Sequence, residues 1–170
     1  MAFVADPRSR TLPKVGADAP KRYQVSIVGA GLSGMYQLHR LRQLGVSARV
    51  FEAGDDVGGT WYWNRYPGAR FDSESWTYGF SFSDELLQEW DWSEHFSAQP
   101  ETLRYCNYVA DKLDLRRDIT FNSRAVSAAY DEYTNEWELA FADGRRVRSH
   151  FLITAIGPLS APTMPAIPGV

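Results

Sequence analysis

"YQVSIVGAGLSGMYQLHRLRQLGVSARVFEAG", residues 23–54, decides the fold class. Residues 23–28 are a short apolar run holding Val25, Ile27 and Val28, the composition of a buried parallel strand, and the run stops at Gly29. From Leu32 the period changes: Met35, Leu38, Leu41 and Leu44 recur at helical spacing, and Gly45 supplies the stop. A second strand spans residues 48–51 and ends in Glu52. Strand, glycine turn, helix, strand and acid form the order of a dinucleotide-binding unit, with Gly29, Gly31 and Gly34 in G-x-G-x-x-G spacing. Gly29 permits the tight turn, Gly31 lets backbone approach a pyrophosphate, and Gly34 lets helix and strand pack closely. The phosphates then meet the helix N-terminus, whose unpaired N–H groups and positive dipole end favour anions. Glu52 is placed to accept hydrogen bonds from ribose hydroxyls, and its charge repels a 2′-phosphate. The first site is therefore expected to hold FAD or NAD rather than NADP.

After such an acid an NAD dehydrogenase continues into another helix and parallel strand. This chain instead runs through "GGTWYWNRYPGARFD", residues 58–72. The adjacent rings Trp61, Tyr62 and Trp63 match neither strand alternation nor helical spacing. A flavin needs an apolar cover for its flat rings, polar backbone at their edges, and a few charges near the reacting edge. The passage offers Trp61 and Trp63 as planar surface, Gly58 and Gly59 for close approach, and Asp72 as a carboxylate partly desolvated by those rings and the flavin. Core packing under a loop is the other reading of the rings, and surface ion pairing the other reading of Arg65, Arg70 and Asp72.

Further along, "SDELLQEW" reads as a short helix capped by Ser83, and "QPETLRYCNYVADKLDL" as a longer one with Pro100 in its first turn. Residues 119–122 read as a strand. "AVSAAYD", "EWELAF" and "RVRS" are alternating runs separated by Asn135 and by Asp143-Gly144, a small antiparallel meander, and "FLITAIG" is a separate apolar strand. The expected fold is α/β: a Rossmann-like FAD-binding domain over residues 23–157 with an antiparallel β-meander insertion. Residues 1–22 read as a flexible arm, and the proline-rich residues 158–170 as a connector to a further domain.

At 44% apolar and 23% charged residues the composition is that of a globular protein, and a net charge of -3 leaves no footprint for nucleic acid or an anionic membrane. Cys106 stands alone, so no internal disulfide forms and a cytoplasmic location fits. His39, His95 and His150 are too scattered for a metal ligand set. No segment has the length of a signal peptide core or a membrane span. No Ser, His and acid set lies in the context of a hydrolase.

"GAGLSG", "GGTWYWNRYPGARFDSES", "FSFS", "LLQEW", "QPETLRYCNYVADKLDLR" and "AIGPLSAP" together resemble the front part of the flavin-dependent Baeyer–Villiger monooxygenases. The resemblance runs from about Tyr23 to the last residue, and the aromatic passage is its most specific element. It implies bound FAD, reduction by NADPH, and insertion of one oxygen atom of O2 into a small-molecule ketone to give an ester or lactone. By matching position, Glu52 would bind the adenosine ribose and the backbone of Ala125 the adenine. Gly59, Thr60, Trp61, Tyr62 and Trp63 would line the flavin, with Asp72 and Tyr78 close to it. Arg70, Phe71 and Asp72 would border the nicotinamide, and Asp72 would be catalytic, paired with an arginine from beyond Val170. The identifying stretch of aromatic, glycine, histidine and tryptophan residues, a second glycine fingerprint for NADPH and that arginine are all expected after Val170, in the remaining C-terminal part. Residues 1–170 alone are expected to be inactive. The alternatives are a related flavin monooxygenase acting on nitrogen or sulfur, and an FAD-binding module without turnover.

Overall fold

The computed structural model describes residues 20–160 and 163–169. Most of the expected arm, residues 1–19, and residues 161, 162 and 170 of the expected connector lie outside the described residues. The chain forms β1 (Lys21–Val28), α1 (Leu32–Gln43), β2 (Ala48–Phe51), the short helices α2 (Thr60–Trp63), α3 (Ser75–Tyr78) and α4 (Asp84–Glu89), and α5 (Gln99–Lys112). A 3-10 turn (Arg116–Asp118), β3 (Ile119–Thr120), β4 (Ala125–Asp131), β5 (Glu136–Phe141) and β6 (Arg146–Thr154) follow. One six-stranded sheet results, in the order β3-β2-β1-β6-β5-β4. The strands β3, β2, β1 and β6 run parallel, and β5 and β4 extend the sheet antiparallel.

The glycine unit folds as its periodicity predicts. Gly34, Met35 and Leu38 of α1 are buried, and they pack with Val25, Ile27 and Val50 of the first two strands and with Cys106 and Ala110 of α5. Gly34 is forced by geometry, because a Cβ there would overlap the Gly29 carbonyl oxygen. The Ser83 hydroxyl caps α4 by accepting from Leu86 N–H at 3.3 Å, and Pro100 sits in the first turn of α5.

Three expectations change. β1 begins at Lys21, two residues into the expected arm, because Lys21 and Arg22 pair with Val147 and Arg148. "RVRS" and "FLITAIG" are one strand, β6, rather than two: its first half pairs antiparallel with β5 (Val147 with Leu139, Ser149 with Trp137), while its whole length pairs parallel with β1. The meander is thus continuous with the parallel sheet, and the change from alternating to continuously apolar sequence within β6 marks where β5 stops pairing with it. Third, the expected strand 119–122 shortens to Ile119–Thr120. Beyond it Asn122 turns away at φ 52° and donates its N–H to the Gly54 carbonyl at 2.8 Å.

Gly34→Ala drives a methyl into backbone that cannot yield, and is expected to cost about 3 kcal/mol or more. Gly45→Ala, at φ 70° with nothing near its Cβ position, is expected to cost only about 1 kcal/mol. Urea unfolding of the two variants beside the parent measures the difference.

Candidate functional site

The glycine turn, Glu52 and the Gly58–Gly59 pair collect at the C-terminal ends of β1 and β2, where open parallel sheets bind ligands. Glu52 organises them. Its carboxylate is 5% exposed and is held by two backbone donors: Ala30 N–H reaches Oε2 at 2.6 Å, and Gly54 N–H reaches Oε1 at 2.8 Å. Its own peptide bonds sideways, taking the Thr120 carbonyl at 2.9 Å and giving its carbonyl to Ser123 N–H at 2.7 Å. Ala125 follows two residues later at the start of β4, at the same end of the sheet. Each carboxylate oxygen has spent one lone pair on the protein and retains another.

Gly31 is the N-cap of α1, with no side-chain cap and no acid in the first turn, so the positive end of the helix stays uncompensated by side chains. Gly59 lies against it: a Cβ built on Gly59 would stand 2.8 Å from the Gly31 Cα. Two backbones therefore meet where side chains are absent. Gly58 N–H donates to the Ala30 carbonyl at 3.0 Å, which fixes the approach.

The aromatic run is not an irregular loop. It forms one helical turn, α2, so that adjacent rings point in different directions. Trp61 turns inward, 8% exposed; its indole N–H donates to the Tyr78 hydroxyl at 2.8 Å and its ring meets Phe71 and Tyr78 edge-on. Phe71 and Tyr78 stack at 4.2 Å with 7° between planes. Burial raises the Tyr78 phenol above its ordinary pKa, and the Trp61 indole opposes part of that rise. Tyr62 donates to Asp55 Oδ1 at 2.6 Å and carries the Arg65 guanidinium over its ring at 4.8 Å. Trp63 is half exposed, with Arg124 at 6.0 Å from its ring. Thr60 accepts from Asn64 Nδ2 at 2.7 Å. Trp61 therefore packs into the core, while Trp63 presents open planar surface.

Asp72 is exposed and makes no hydrogen bond or ion pair among the described residues, so Trp61 and Trp63 by themselves do not desolvate it. Trp61 has spent its ring on Phe71 and Tyr78 instead. Arg70 forms an exposed ion pair with Glu94 at 2.9 Å and donates to the Phe96 carbonyl at 2.7 Å. An exposed pair of this kind adds little stability.

Sequence reasoning missed the layer that braces these groups. Gln99 joins the two ends of the aromatic passage, its side chain donating to the Trp61 carbonyl and its N–H to the Ala69 carbonyl at 2.8 Å. Glu101, buried in the first turn of α5, accepts from Ser93 N–H at 3.0 Å and from the hydroxyls of Ser93 and Ser97 at 2.7 Å each. Ser97 N–H in turn donates to the Ser75 hydroxyl at 3.0 Å, which donates to the Glu94 carbonyl at 2.6 Å. An acid three residues into a helix reads as a routine first-turn charge, and nothing in its spacing reveals those serines. A surface hollow of about 450 Å³ between Arg65 and Arg104 contains neither Glu52 nor Gly31. Those two residues lie outside it, at the C-terminal ends of β1 and β2.

Burial alone would raise the Glu101 carboxyl, but the Ser93 and Ser97 hydrogen bonds outweigh it and hold the pKa below its ordinary value. Its contribution is then complete above the unfolded-state pKa near 4.5 and is lost as pH falls through the lower folded value. Glu101→Gln is expected to flatten the acid limb of the stability curve there, and Glu101→Ala to cost about 1.5–3 kcal/mol at pH 7. Urea unfolding across pH 2–7 measures both.

Comparison with known proteins agrees with this geometry. Residues 27–90 match the family described as an NAD(P)-binding Rossmann-like domain. The chain is 49% identical over 144 residues to an acetone monooxygenase (methyl acetate-forming) of Gordonia sp. (strain TY-5), covering 85% of this chain and 27% of that protein. It is 43% identical over 157 residues to a Baeyer-Villiger monooxygenase of Pseudooceanicola batsensis, covering 92% and 28%. A phenazine N-monooxygenase of Lysobacter antibioticus is 41% identical over 148 residues, covering 86% and 27%. Among solved structures, an oxidized steroid monooxygenase bound to NADP matches with a TM-score of 0.82 at 52% identity, covering 86% of this chain and 28% of that one. The OTEMO complex with FAD and NADP matches with a TM-score of 0.81 at 47% identity, covering 87% and 28%. The chain spans little more than a quarter of the length of these relatives, and over that span it is similar to Baeyer–Villiger and related monooxygenases.

Proposed function

We propose that this chain forms the FAD-binding part of an NADPH-dependent Baeyer–Villiger monooxygenase, which inserts one oxygen atom of O2 into a small ketone to give an ester or lactone. One observation carries the reading: the shelf formed by the uncapped N-terminus of α1, the Gly31–Gly59 contact and the backbone-held Glu52, with the aromatic turn beside it. The fit to FAD rests on charge and shape. An anionic pyrophosphate suits a helix end without a side-chain cap or first-turn acid, and the absence of Cβ atoms at Gly31 and Gly59 leaves the shelf lined by backbone.

In this reading Gly29, Gly31 and Gly34 shape the turn that receives the pyrophosphate. Glu52 offers its remaining lone pairs to the ribose, and the Ala125 backbone meets the adenine. Thr60, Tyr62 and Trp63 border the flavin from α2, while Trp61 supports that turn from beneath by gripping Tyr78. Arg70, Phe71 and Asp72 lie at the reacting edge and the nicotinamide, where Asp72 is the catalytic carboxylate. Bound flavin supplies electron storage and O2 activation. The protein's share is to fix orientation, exclude water behind the Phe71–Tyr78 stack and place one negative charge at a fixed point. The NADPH site, the substrate pocket and the cation that pairs with Asp72 are assigned to the remainder of the protein.

N-oxygenation is the second reading, supported by the similarity to the phenazine N-monooxygenase. Product analysis of the protein carrying this chain, with a ketone and with a tertiary aromatic amine, separates the two. Ester formation coupled to NADPH use supports the first, and an N-oxide alone overturns it.

Two outcomes are expected of the 170-residue chain. Titrated into FAD, it should quench flavin fluorescence, and Glu52→Ala should weaken that binding by one to two decades, the worth of about 1.5–3 kcal/mol of charge-assisted hydrogen bonding. Mixed with NADPH, FAD and a ketone, it should show no ketone-dependent NADPH oxidation above the rate of free FAD. Steady turnover by the chain would refute the division of labour.

A further inference from the structure

Arg116, on the 3-10 turn before β3, spends all three guanidinium nitrogens on side chains. Nε donates to Asp111 Oδ1 at 2.6 Å, Nη2 to Asn107 Oδ1, and Nη1 to Asp56 Oδ1 at 2.7 Å. Asp111 and Asn107 belong to α5, whereas Asp56 belongs to the segment between β2 and α2. Burial works against the charge of Arg116, but Asp56 and Asp111 overcome it and hold the pKa above its ordinary value, so the guanidinium stays protonated.

The fork reaches the ligand shelf in three steps. Asp56 Oδ1 accepts a second hydrogen bond, from Val57 N–H at 2.7 Å, which fixes the peptide leading into the glycine pair. Gly58 N–H then donates to the Ala30 carbonyl at 3.0 Å. Gly59 lies against Gly31, and a Cβ on Gly58 would stand 2.7 Å from Leu103 Cδ1 of α5. The glycine pair is thus located from two sides, by the turn at Ala30 and by α5. The polar link to α5 on this side is Arg116. A fork of fixed geometry suits that task, since it sets distance and angle together.

We propose that Arg116 is a positioning residue for the dinucleotide: through Asp56 it fixes Gly58 and Gly59 against Gly31 and so sets the form of the shelf that receives the pyrophosphate. The proposal rests on the flavin reading above for its ligand, and on the clasp alone for its geometry. Loss of the fork leaves the apolar core beneath intact, since Val57, Cys106 and Ala110 are fully buried and make no use of it. It releases the Asp56 carboxylate and, with it, the hold on the Val57 N–H.

The two layers are tested separately in the 170-residue chain, at a temperature where every variant is folded. Without ligand, hydrogen exchange at Gly58 N–H is expected to speed up at least tenfold in Arg116→Met and in Asp56→Asn, while Arg146→Met, which breaks the ion pair with Glu138 on the meander, leaves it unchanged. With FAD, each of the first two variants is expected to bind five- to tenfold more weakly. The double variant should be no weaker than the poorer single one, because both changes open one clasp. Arg116→Lys, a point charge without the fork, should not restore binding. Unchanged exchange at Gly58 in Arg116→Met overturns the clasp whatever FAD does. Faster exchange with unchanged FAD affinity overturns its role toward the ligand. A folded parent that binds no FAD, with exchange still responding to Arg116→Met, refutes the flavin reading and the ligand role together and leaves the clasp as a structural device.

Discussion

The arrangement depends on one buried carboxylate bonded to two peptide N–H groups. Ala30 lies between Gly29 and Gly31, and both of its peptide polar groups are tied to the segment after β2: its N–H to the Glu52 side chain, its carbonyl to Gly58 N–H. The same carboxylate takes Gly54 N–H with its other oxygen. A charge that is 5% exposed is costly unless it is hydrogen-bonded, and here both oxygens find amide donors that would otherwise lack an acceptor at the end of the sheet. The glycine turn and the segment 52–58 are thereby locked as one unit. Without that lock, the contact between Gly31 and Gly59 has nothing to hold it in register.

Given the lock, the aromatic passage has little freedom. Gly59, at φ 55°, reverses the chain directly beside Gly31, and α2 starts at the next residue. A single helical turn spreads three adjacent rings around an axis, so only one can face the core. That one is Trp61, and its indole N–H needs a partner once buried, which Tyr78 supplies. Tyr78 in turn stacks on Phe71, next in sequence to Asp72. The backbone leading to Asp72 is thus tied to the direction of Trp61 through two ring contacts.

Much of this is legible in the sequence, for a physical reason. The β1-turn-α1-β2 unit is written in local periodicity, which survives in a single sequence because burial on one face of a strand or helix dictates residue type. The Ser83 cap, Pro100 in the first turn of α5, and the turns at Asn135 and Gly144 are local signals of the same kind. What is not legible depends on partners distant along the chain. The join of "RVRS" to "FLITAIG" requires knowing that β1 lies alongside all of β6. The direction of Trp61 requires knowing that three rings fit one turn. Gln99, Glu101 and Arg116 look like ordinary helix and turn residues, and their roles come from partners 38, 8 and 60 residues away. Resemblance to a family carries such knowledge implicitly, which is why it names residues such as Tyr78 that periodicity cannot reach.

On the proposed reading, Glu52 is at once a structural residue and the acid that meets the ribose, and the two roles do not conflict. A side chain that waits in solvent loses rotamer freedom when a ligand orders it, and that loss subtracts from affinity. Glu52 has lost this freedom already, at folding, to Ala30 and Gly54. Its length matters here: Ala30 N–H belongs to the glycine turn after the neighbouring strand and Gly54 N–H to the following loop, so the carboxylate must extend past its own backbone to bridge them. An aspartate, one methylene shorter, could keep one donor only by abandoning the other. The lone pairs left on the two oxygens then point from a fixed base, and in the proposed flavin site a ribose diol would meet acceptors whose geometry the fold has already set.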